Sequence, residues 1–344
     1  MNDQYYMLSE IKETPDIIKN IFESNIEPIK EIASKIRNYN PRFSMLVGRG
    51  SSDNACVYGQ YVFEYLVKIS SFLSTGSLYL FYKNPPIYTN GLIIGISQSG
   101  ETDDVLKISE YAKKMNNFVV GITNVENSSL HEITTENTIF LSAGEEKSVC
   151  ATKSFTTSLL AVLLLASFLS DSKISLDDIL PPLEYIVSRE AEIRKLAEVY
   201  TFAPNVIVLG TGFSYSTALE TALKLRESCY VKSIGASTID FLHGPIAMLS
   251  DNVPVIVFAP DDETVSLTLD ALEAIRETGA HILVVSDNQG LCKFGDLCFE
   301  LPKTANFLYP FAEALFAQLF SFYLSISKRL DPDKPRYLRK VTRI

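Results

Sequence analysis

The chain has 344 residues, 47% of them apolar, and its 31 Lys plus Arg against 41 Asp plus Glu give a formal charge of −10. That length suggests about two domains of ordinary size, and abundant apolar residues with only 21% charged exclude a disordered chain. The acidity argues against general nucleic-acid binding, which leaves a basic footprint.

In chain order, the first forty residues read as helical, punctuated by Pro15 and Pro28, and are too short and acidic for a DNA-reading module. Met1 to Glu10 shows no basic segment followed by an apolar core, so no secretory signal is expected. Short apolar runs bounded by Gly, Ser and Asn then alternate with amphipathic stretches, the pattern of α/β units around a mostly parallel sheet. Strands are predicted at Phe43–Gly48, Gly91–Ser97, Phe118–Thr123 and Thr138–Ser142. Helices are predicted at Asp53–Val67 and Thr102–Met115, then a long apolar one at Lys153–Leu169. Residues 171–205 form a connection that Pro181-Pro182 breaks, with a charged helix over Leu183–Tyr200.

The order then repeats. Strands are predicted at Asn205–Gly210, Val253–Ala259, His281–Ser286 and Leu297–Leu301, with helices at Ser214–Cys229, Thr264–Thr278 and Phe307–Lys328. Val47 to Val208 and Ile96 to Val257 are both offset by 161, and Val120 to Val284 by 164. Offsets this long indicate a duplicated domain and not a solenoid. The expected division is a helical segment at 1–40, domains at 41–170 and 205–330, a linker at 171–204 and a tail at 331–344. Each domain is expected to be a three-layer α/β/α sandwich. The tail carries Lys334, Arg336, Arg339, Lys340 and Arg343, and is locally basic.

The apolar run Leu159 to Leu169 is short of the roughly 20 residues a membrane helix needs, so it reads as a core helix and no membrane partner is expected. Cys56, Cys150, Cys229, Cys292 and Cys298 are odd in number and lack CxxC spacing. They suit a reduced cytoplasmic interior better than a disulfide framework or a zinc site.

Two strand-to-helix loops carry the chemistry. They are Gly48-Arg49-Gly50-Ser51-Ser52-Asp53 and Ser97-Gln98-Ser99-Gly100-Glu101-Thr102. Small residues let backbone approach a ligand closely, and free N–H groups at a helix start with neighbouring hydroxyls form an anion seat. Serines also cap helices with no ligand present, but two such loops on one sheet favour a phosphate. No GxxxxGK[ST] is present, and Gly210-Thr211-Gly212-Phe213-Ser214-Tyr215 supplies only two of three dinucleotide glycines. Glu220, Lys224 and Glu227 share one helix face by steps of four and three. His243, followed by Gly244-Pro245, falls in a predicted turn.

These residues resemble the sugar isomerase (SIS) domain family. They are similar to the isomerase half of glucosamine-6-phosphate synthase and, more closely, to the SIS-type glucosamine-6-phosphate deaminases. The match rests on SQSGET at 97–102, ATKSFTT at 151–157, ALKLRES and FLHGP within 222–245, and DKPRYLRKVT at 333–342. It spans nearly the whole chain and implies two tandem SIS domains. The resemblance implies that Ser51, Ser52, Ser97, Gln98, Ser99 and Thr102 hold the phosphate and open sugar, with Val149 and Ala151 also lining the substrate. It makes Glu227 the base that moves a proton between C1 and C2, and Lys224 the lysine one turn before it. Lys340 becomes the lysine of the C-terminal tail. His243 becomes the ring-opening histidine, contributed across a homodimer. Ala151 stands where the synthase motif has serine, so one hydroxyl contact to the sugar is missing. Gly144-Glu145-Glu146-Lys147 is more like the deaminase branch.

A carboxylate beside a cation, plus a histidine that titrates near neutrality, suits isomerisation of an amino-sugar phosphate. Lys224 lowers the pKa of Glu227 and burial raises it, and the sequence leaves that balance open. No metal or other cofactor is expected. The synthase's glutaminase uses an N-terminal cysteine, whereas this chain starts Met1-Asn2-Asp3 and its first cysteine is Cys56. The expected activity is therefore glucosamine-6-phosphate deamination to fructose-6-phosphate and ammonia. The alternatives are an isomerase of the synthase type without a glutaminase, a deaminase or deglycase of another amine-linked sugar phosphate, and a non-catalytic phosphosugar sensor.

Overall fold

A computed structural model describes residues 5–24, 26–170 and 172–340. Met1–Asp3, Val341, Thr342 and Arg343, used in the sequence reading above, lie outside the described residues. The chain divides into two compact units. One comprises Asp16–Glu146, Lys153–Leu176 and the tail from Arg339, and holds the first sheet. The other comprises the chain up to Pro15, Lys147–Thr152 and Asp177–Leu338, and holds the second sheet.

Helix α1 (Tyr6–Ser24) runs through Pro15, and α2 (Ile26–Tyr39) carries Pro28 in its first turn, where the missing N–H is tolerated. The first-sheet unit then alternates β1 (Phe43–Val47), α3 (Ser51–Val62), β2 (Ser71–Leu73), α4 (Gly76–Leu80), β3 (Gly91–Ile96) and α5 (Asp103–Lys114). It continues with β4 (Phe118–Thr123), α6 (Ser129–Thr134), β5 (Thr138–Phe140) and α7 (Lys153–Leu169). All strands are parallel, in the order β2-β1-β3-β4-β5. Every residue of β3 is buried, as expected of a parallel strand covered by helices on both faces. Met45, Val47, Ile93, Val119, Val105 and Ile108 share one of its cores.

The second-sheet unit adds α8 (Leu176–Ser188), α9 (Glu190–Val199), β6 (Asn205–Gly210), α10 (Ser214–Cys229), β7 (Lys232–Ser237) and α11 (Thr238–Leu242). It ends with β8 (Pro254–Phe258), α12 (Val265–Glu277), β9 (His281–Ser286), α13 (Gln289–Cys292), β10 (Leu297–Glu300) and α14 (Tyr309–Ser327). The strand order, β10-β9-β8-β6-β7, repeats that of the first sheet. The chain thus contains two parallel five-stranded sheets flanked by helices, an α/β fold built twice.

Three expectations need correction. Pro181-Pro182 does not break the connection, because both prolines lie inside α8, where Pro182 packs in the interior with Ile179, Leu183 and Ile186. The break falls at Arg189, so Leu183–Tyr200 belongs to two helices, α8 and α9. Cys292 and Cys298, expected as thiols, form a disulfide with Cα atoms 5.4 Å apart. The short link from α13 into β10 brings them together, while Cys56, Cys150 and Cys229 are free and buried.

The helical stretch Asn306–Ser327 has the length and apolarity to cross a membrane, yet 94% of its apolar 18-residue window is buried within the protein. Its Glu313 is fully buried. The hydroxyl of Ser214 donates to Glu313 Oε1 at 2.6 Å and that of Thr217 donates to Oε2. Burial raises the Glu313 pKa most, the two hydroxyls oppose it, Asp262 and Asp287 add to it, and the result is about 7.

A carboxyl with a raised folded-state pKa binds more protons folded than unfolded between its two pKa values, so its contribution to stability falls as pH rises through that interval. For Glu313 the interval runs from the unperturbed 4.5 to about 7. Glu313→Gln is expected to stabilise the protein at pH 8 by up to about 3 kcal/mol relative to its effect at pH 5. Thermal melts at the two pH values check this; an equal Tm shift at both would contradict it.

Candidate active site

Strand order 2-1-3-4-5 places a topological switch point between β1 and β3, where open α/β sheets bind ligands beyond their strand ends. The loops leaving β1 and β3 are residues 48–53 and 97–102, the two serine loops. In the first, a Cβ on Gly48 would lie 2.6 Å from the Ser52 carbonyl, and Gly50 takes φ +59°. These glycines let the chain turn at once into α3 with Ser51 and Ser52 in its first turn. In the second loop, Ser97 is buried and its hydroxyl bonds that of Thr102 at 2.9 Å and accepts the Gly100 N–H at 3.1 Å. Ser99 accepts the Glu101 N–H at 3.3 Å. Part of the hydroxyl chemistry is therefore structural. Among the described residues, no protein partner is recorded for the Ser52 hydroxyl or the Gln98 side-chain amide, which leaves both available to a ligand.

Arg49 of the first loop makes an ion pair with the nearly buried Asp104 in the first turn of α5. The two loops are thereby tied across the switch point. A side chain on Gly76 would collide with that pair, so the glycine makes room for it. Sequence reasoning left Arg49 and Asp104 without a role, and no spacing signal connects them. In the same unit, the Lys340 ammonium pairs with Glu146, a fully buried carboxylate that also accepts the Ser154 N–H at 3.0 Å and the Ser154 hydroxyl at 2.7 Å. Burial pushes the Glu146 pKa up, but Lys340 and the Ser154 bonds outweigh it and hold it below the ordinary carboxylate range.

The second-sheet unit holds the proton-transfer candidates. Lys224, fully buried in α10, lies 2.6 Å from Glu227 Oε2 and 3.4 Å from Glu220 Oε1. The steps of three and four bring all three together as the spacing predicted. Burial alone would discharge Lys224; Glu220 and Glu227 outweigh it and lift its pKa above the ordinary lysine range. Glu220 is also fully buried, whereas Glu227 keeps 23% of its side chain exposed. The arrangement is a fixed cation holding one accessible carboxylate. The thiol of Cys150 lies within interaction range of the same carboxylate, a neighbour the sequence reading missed because 77 positions separate them. Val149 and Ala151 flank Cys150 in the same turn.

His243 lies on an exposed turn that caps α11, and its ring makes no hydrogen bond among the described residues. Exposed Ile239 and Met248 lie near it in sequence. No group of three or more His, Cys, Asp or Glu suited to a metal occurs among the described residues.

Gly100 takes φ +68°, and a methyl there would strike the Ser128 side chain and lie 2.9 Å from Thr123 Oγ1. Gly100→Ala is expected to cost about 1–3 kcal/mol and to weaken binding of inorganic phosphate several-fold. Thermal melts and calorimetric titration read both effects; unchanged phosphate affinity would remove the 97–102 loop from the anion seat.

Residues 40–168 and 200–328 each match the SIS domain. Glutamine–fructose-6-phosphate aminotransferase [isomerizing] of Thermococcus kodakarensis is 33% identical over 348 residues, which cover 98% of this chain and 57% of that protein. The chain thus spans less than two thirds of that relative's length. The C-terminal domain of glucosamine-fructose-6-phosphate aminotransferase from Francisella tularensis superposes with a TM-score of 0.83 at 28% identity, over 97% of this chain and 100% of that one. Glucosamine-6-phosphate deaminase from Thermotoga maritima shares the fold, with a TM-score of 0.78 at 24% identity over 98% and 100% of the two chains. With both sheets matched and the serine loops at the switch point of the first, the chain belongs to the SIS domain family.

Proposed function

We propose that this protein is an amino-sugar phosphate isomerase that deaminates glucosamine-6-phosphate to fructose-6-phosphate and ammonia. The observation that carries the reading is the Glu220–Lys224–Glu227 arrangement, in which a buried ammonium pins a partly exposed carboxylate. Its membership of the SIS family and its 33% identity to an isomerising aminotransferase support the same substrate class.

The phosphate is assigned to the loops of Ser51, Ser52, Ser97, Gln98, Ser99 and Thr102, and the sugar also to Val149 and Ala151. His243, on its exposed turn, is assigned to ring opening in a second copy of the chain, as a homodimer. With the ring open, Glu227 takes the C2 proton and returns it to C1. The aldehyde becomes an alcohol and the amine becomes an imine at C2. Water adds to the imine carbon and ammonia leaves, so one water is consumed for each fructose-6-phosphate and ammonia formed. Lys224 holds Glu227 in place, and Lys340 brings a second cation from the tail. General-base transfer of this kind typically contributes 10²–10⁴-fold.

Incubation with glucosamine-6-phosphate in the absence of glutamine should release ammonia and fructose-6-phosphate in equal amounts. Sugar-phosphate binding without release would favour a sensor, and release only from another amino-sugar phosphate would move the substrate assignment. Glu227→Gln is expected to lower kcat by about 10²-fold or more while substrate affinity changes little; normal turnover would refute Glu227 as the base. His243→Ala should slow the cyclic substrate more than an open-chain analogue, and equal losses would refute its role in ring opening.

A further inference from the structure

Helix α1 precedes both SIS segments, yet it places a buried carboxylate beneath the turn that faces Glu227. Its inward stripe carries Met7, Ile11, Thr14 and Ile18, and Glu10 is on that stripe at 3% exposure. Glu10 Oε1 accepts the Lys147 N–H and the Ser148 N–H, the latter at 3.2 Å. Its Oε2 accepts the Ser148 hydroxyl and, at 3.4 Å, the Thr152 hydroxyl. The Ser148 hydroxyl also lies 2.9 Å from the Cys150 carbonyl. At the far end, the Gln318 amide of α14 donates to the Thr152 carbonyl at 3.0 Å.

The turn 147–152 has no helical or strand bonds of its own, so these side chains supply the partners that its buried backbone needs. A carboxylate is suited to this because it accepts several bonds at once, and charge-assisted bonds are about twice as strong as neutral ones. The turn carries Val149, Cys150 and Ala151. Cys150 is 1% exposed and faces Glu227 and Lys224. Burial pushes its thiol pKa up to about 12, with Lys224 opposing and Glu227 adding to the rise, so it meets Glu227 as a neutral thiol.

We propose that Glu10 is a positioning residue for proton transfer: its carboxylate fixes the 147–152 turn, and the turn holds Cys150 against Glu227. The proposal rests on the assignment of Glu227 as the base. None of the bonds that hold Ser97, Ser99 or Arg49 in the serine loops involves Glu10, so those loops should be indifferent to it.

Glu10→Gln keeps the side-chain volume but leaves one good acceptor where there were two. Two readouts separate a positioning role from a structural one. Alkylation of Cys150, followed peptide by peptide, should accelerate at least several-fold while Cys56 and Cys229 stay slow. On the amino-sugar substrate, kcat should fall about tenfold to a hundredfold, as sub-ångström to 1 Å misplacements do, with the affinity for inorganic phosphate unchanged. Ser148→Ala, which removes one bond to Glu10, should move both readouts in the same direction by less and serves if Glu10→Gln does not fold. Faster Cys150 labelling in a protein that never releases ammonia would retain the clamp and refute the deaminase reading. Unchanged Cys150 labelling, or losses of kcat and phosphate affinity in parallel, would overturn the proposal.

Discussion

Parallel strands buried on both faces leave little freedom in where this protein can do chemistry. Every residue of β3 and of β8 is buried, and the helices that cover them use the flanks of each sheet. Only the loops leaving the carboxyl ends of the strands are then available, and the reversal of strand order opens a crevice between two of them. The serine loops follow from that constraint. The residues there can be polar and glycine-rich because the strands behind them supply the rigidity. Gly48 and Gly50 set the entry to α3, while Arg49 and Asp104 fasten one loop to the other.

The duplication shows what happens when the same backbone is given a different interior. Gly210 and Gly212 repeat Gly48 and Gly50 at an offset of 162. Gly212 takes φ +60° and Gly50 takes +59°. A side chain on Gly210 would strike the Ser214 carbonyl as one on Gly48 would strike that of Ser52. The turn geometry has therefore been kept. At the start of α10, however, the hydroxyls of Ser214 and Thr217 are taken by the buried Glu313, and the loop after β8 reads Asp261-Asp262-Glu263. At the second switch point those hydroxyls are taken and the neighbouring loop is acidic, where the first offers a Ser52 hydroxyl with no partner among the described residues. An incoming phosphate would meet repulsion there, so the second unit is free to use α10 for the Lys224 cluster instead.

What could be read from the sequence follows from the same physics. Central strands announce themselves as unbroken apolar runs because both faces are buried, and all six were found that way, together with the edge strands β5 and β10. The two that were missed, Ser71–Leu73 and Lys232–Ser237, are edge strands. One is three residues long and the other is half-exposed along most of its length, so neither needs an apolar run. The Pro181-Pro182 pair misled because a helix end is the default reading of proline, and the buried face of α8 outweighs the lost hydrogen bonds. At the site, the i, i+3 and i+4 relations of Glu220, Lys224 and Glu227 were legible because they are local. Arg49–Asp104, Lys340–Glu146 and Glu10 with Ser148 span 55, 194 and 138 positions, and no periodicity encodes pairs that distant. A weak local sign did exist for Glu10, a carboxylate on the apolar stripe of an otherwise ordinary helix.

Charge ties these observations together. Burying an ion is unfavourable by several kcal/mol unless its partners are close and well placed, and each buried ion here has them. Lys224 has two carboxylates, Glu146 has Lys340 and Ser154, and Glu10 has a ring of N–H and O–H donors. Each of these groups fixes a segment that carries a site candidate: the Glu227 carboxylate, the tail from Arg339, or the 147–152 turn. The net charge of −10 does not oppose an anionic substrate strongly, because such a field is screened within about 8–10 Å at physiological salt. With Arg49 committed to Asp104, backbone N–H groups and hydroxyls are left to attract the phosphate proposed for the first switch point. Dipoles of that kind act only over short distances, which favours an anion that fits the crevice over one that merely carries charge.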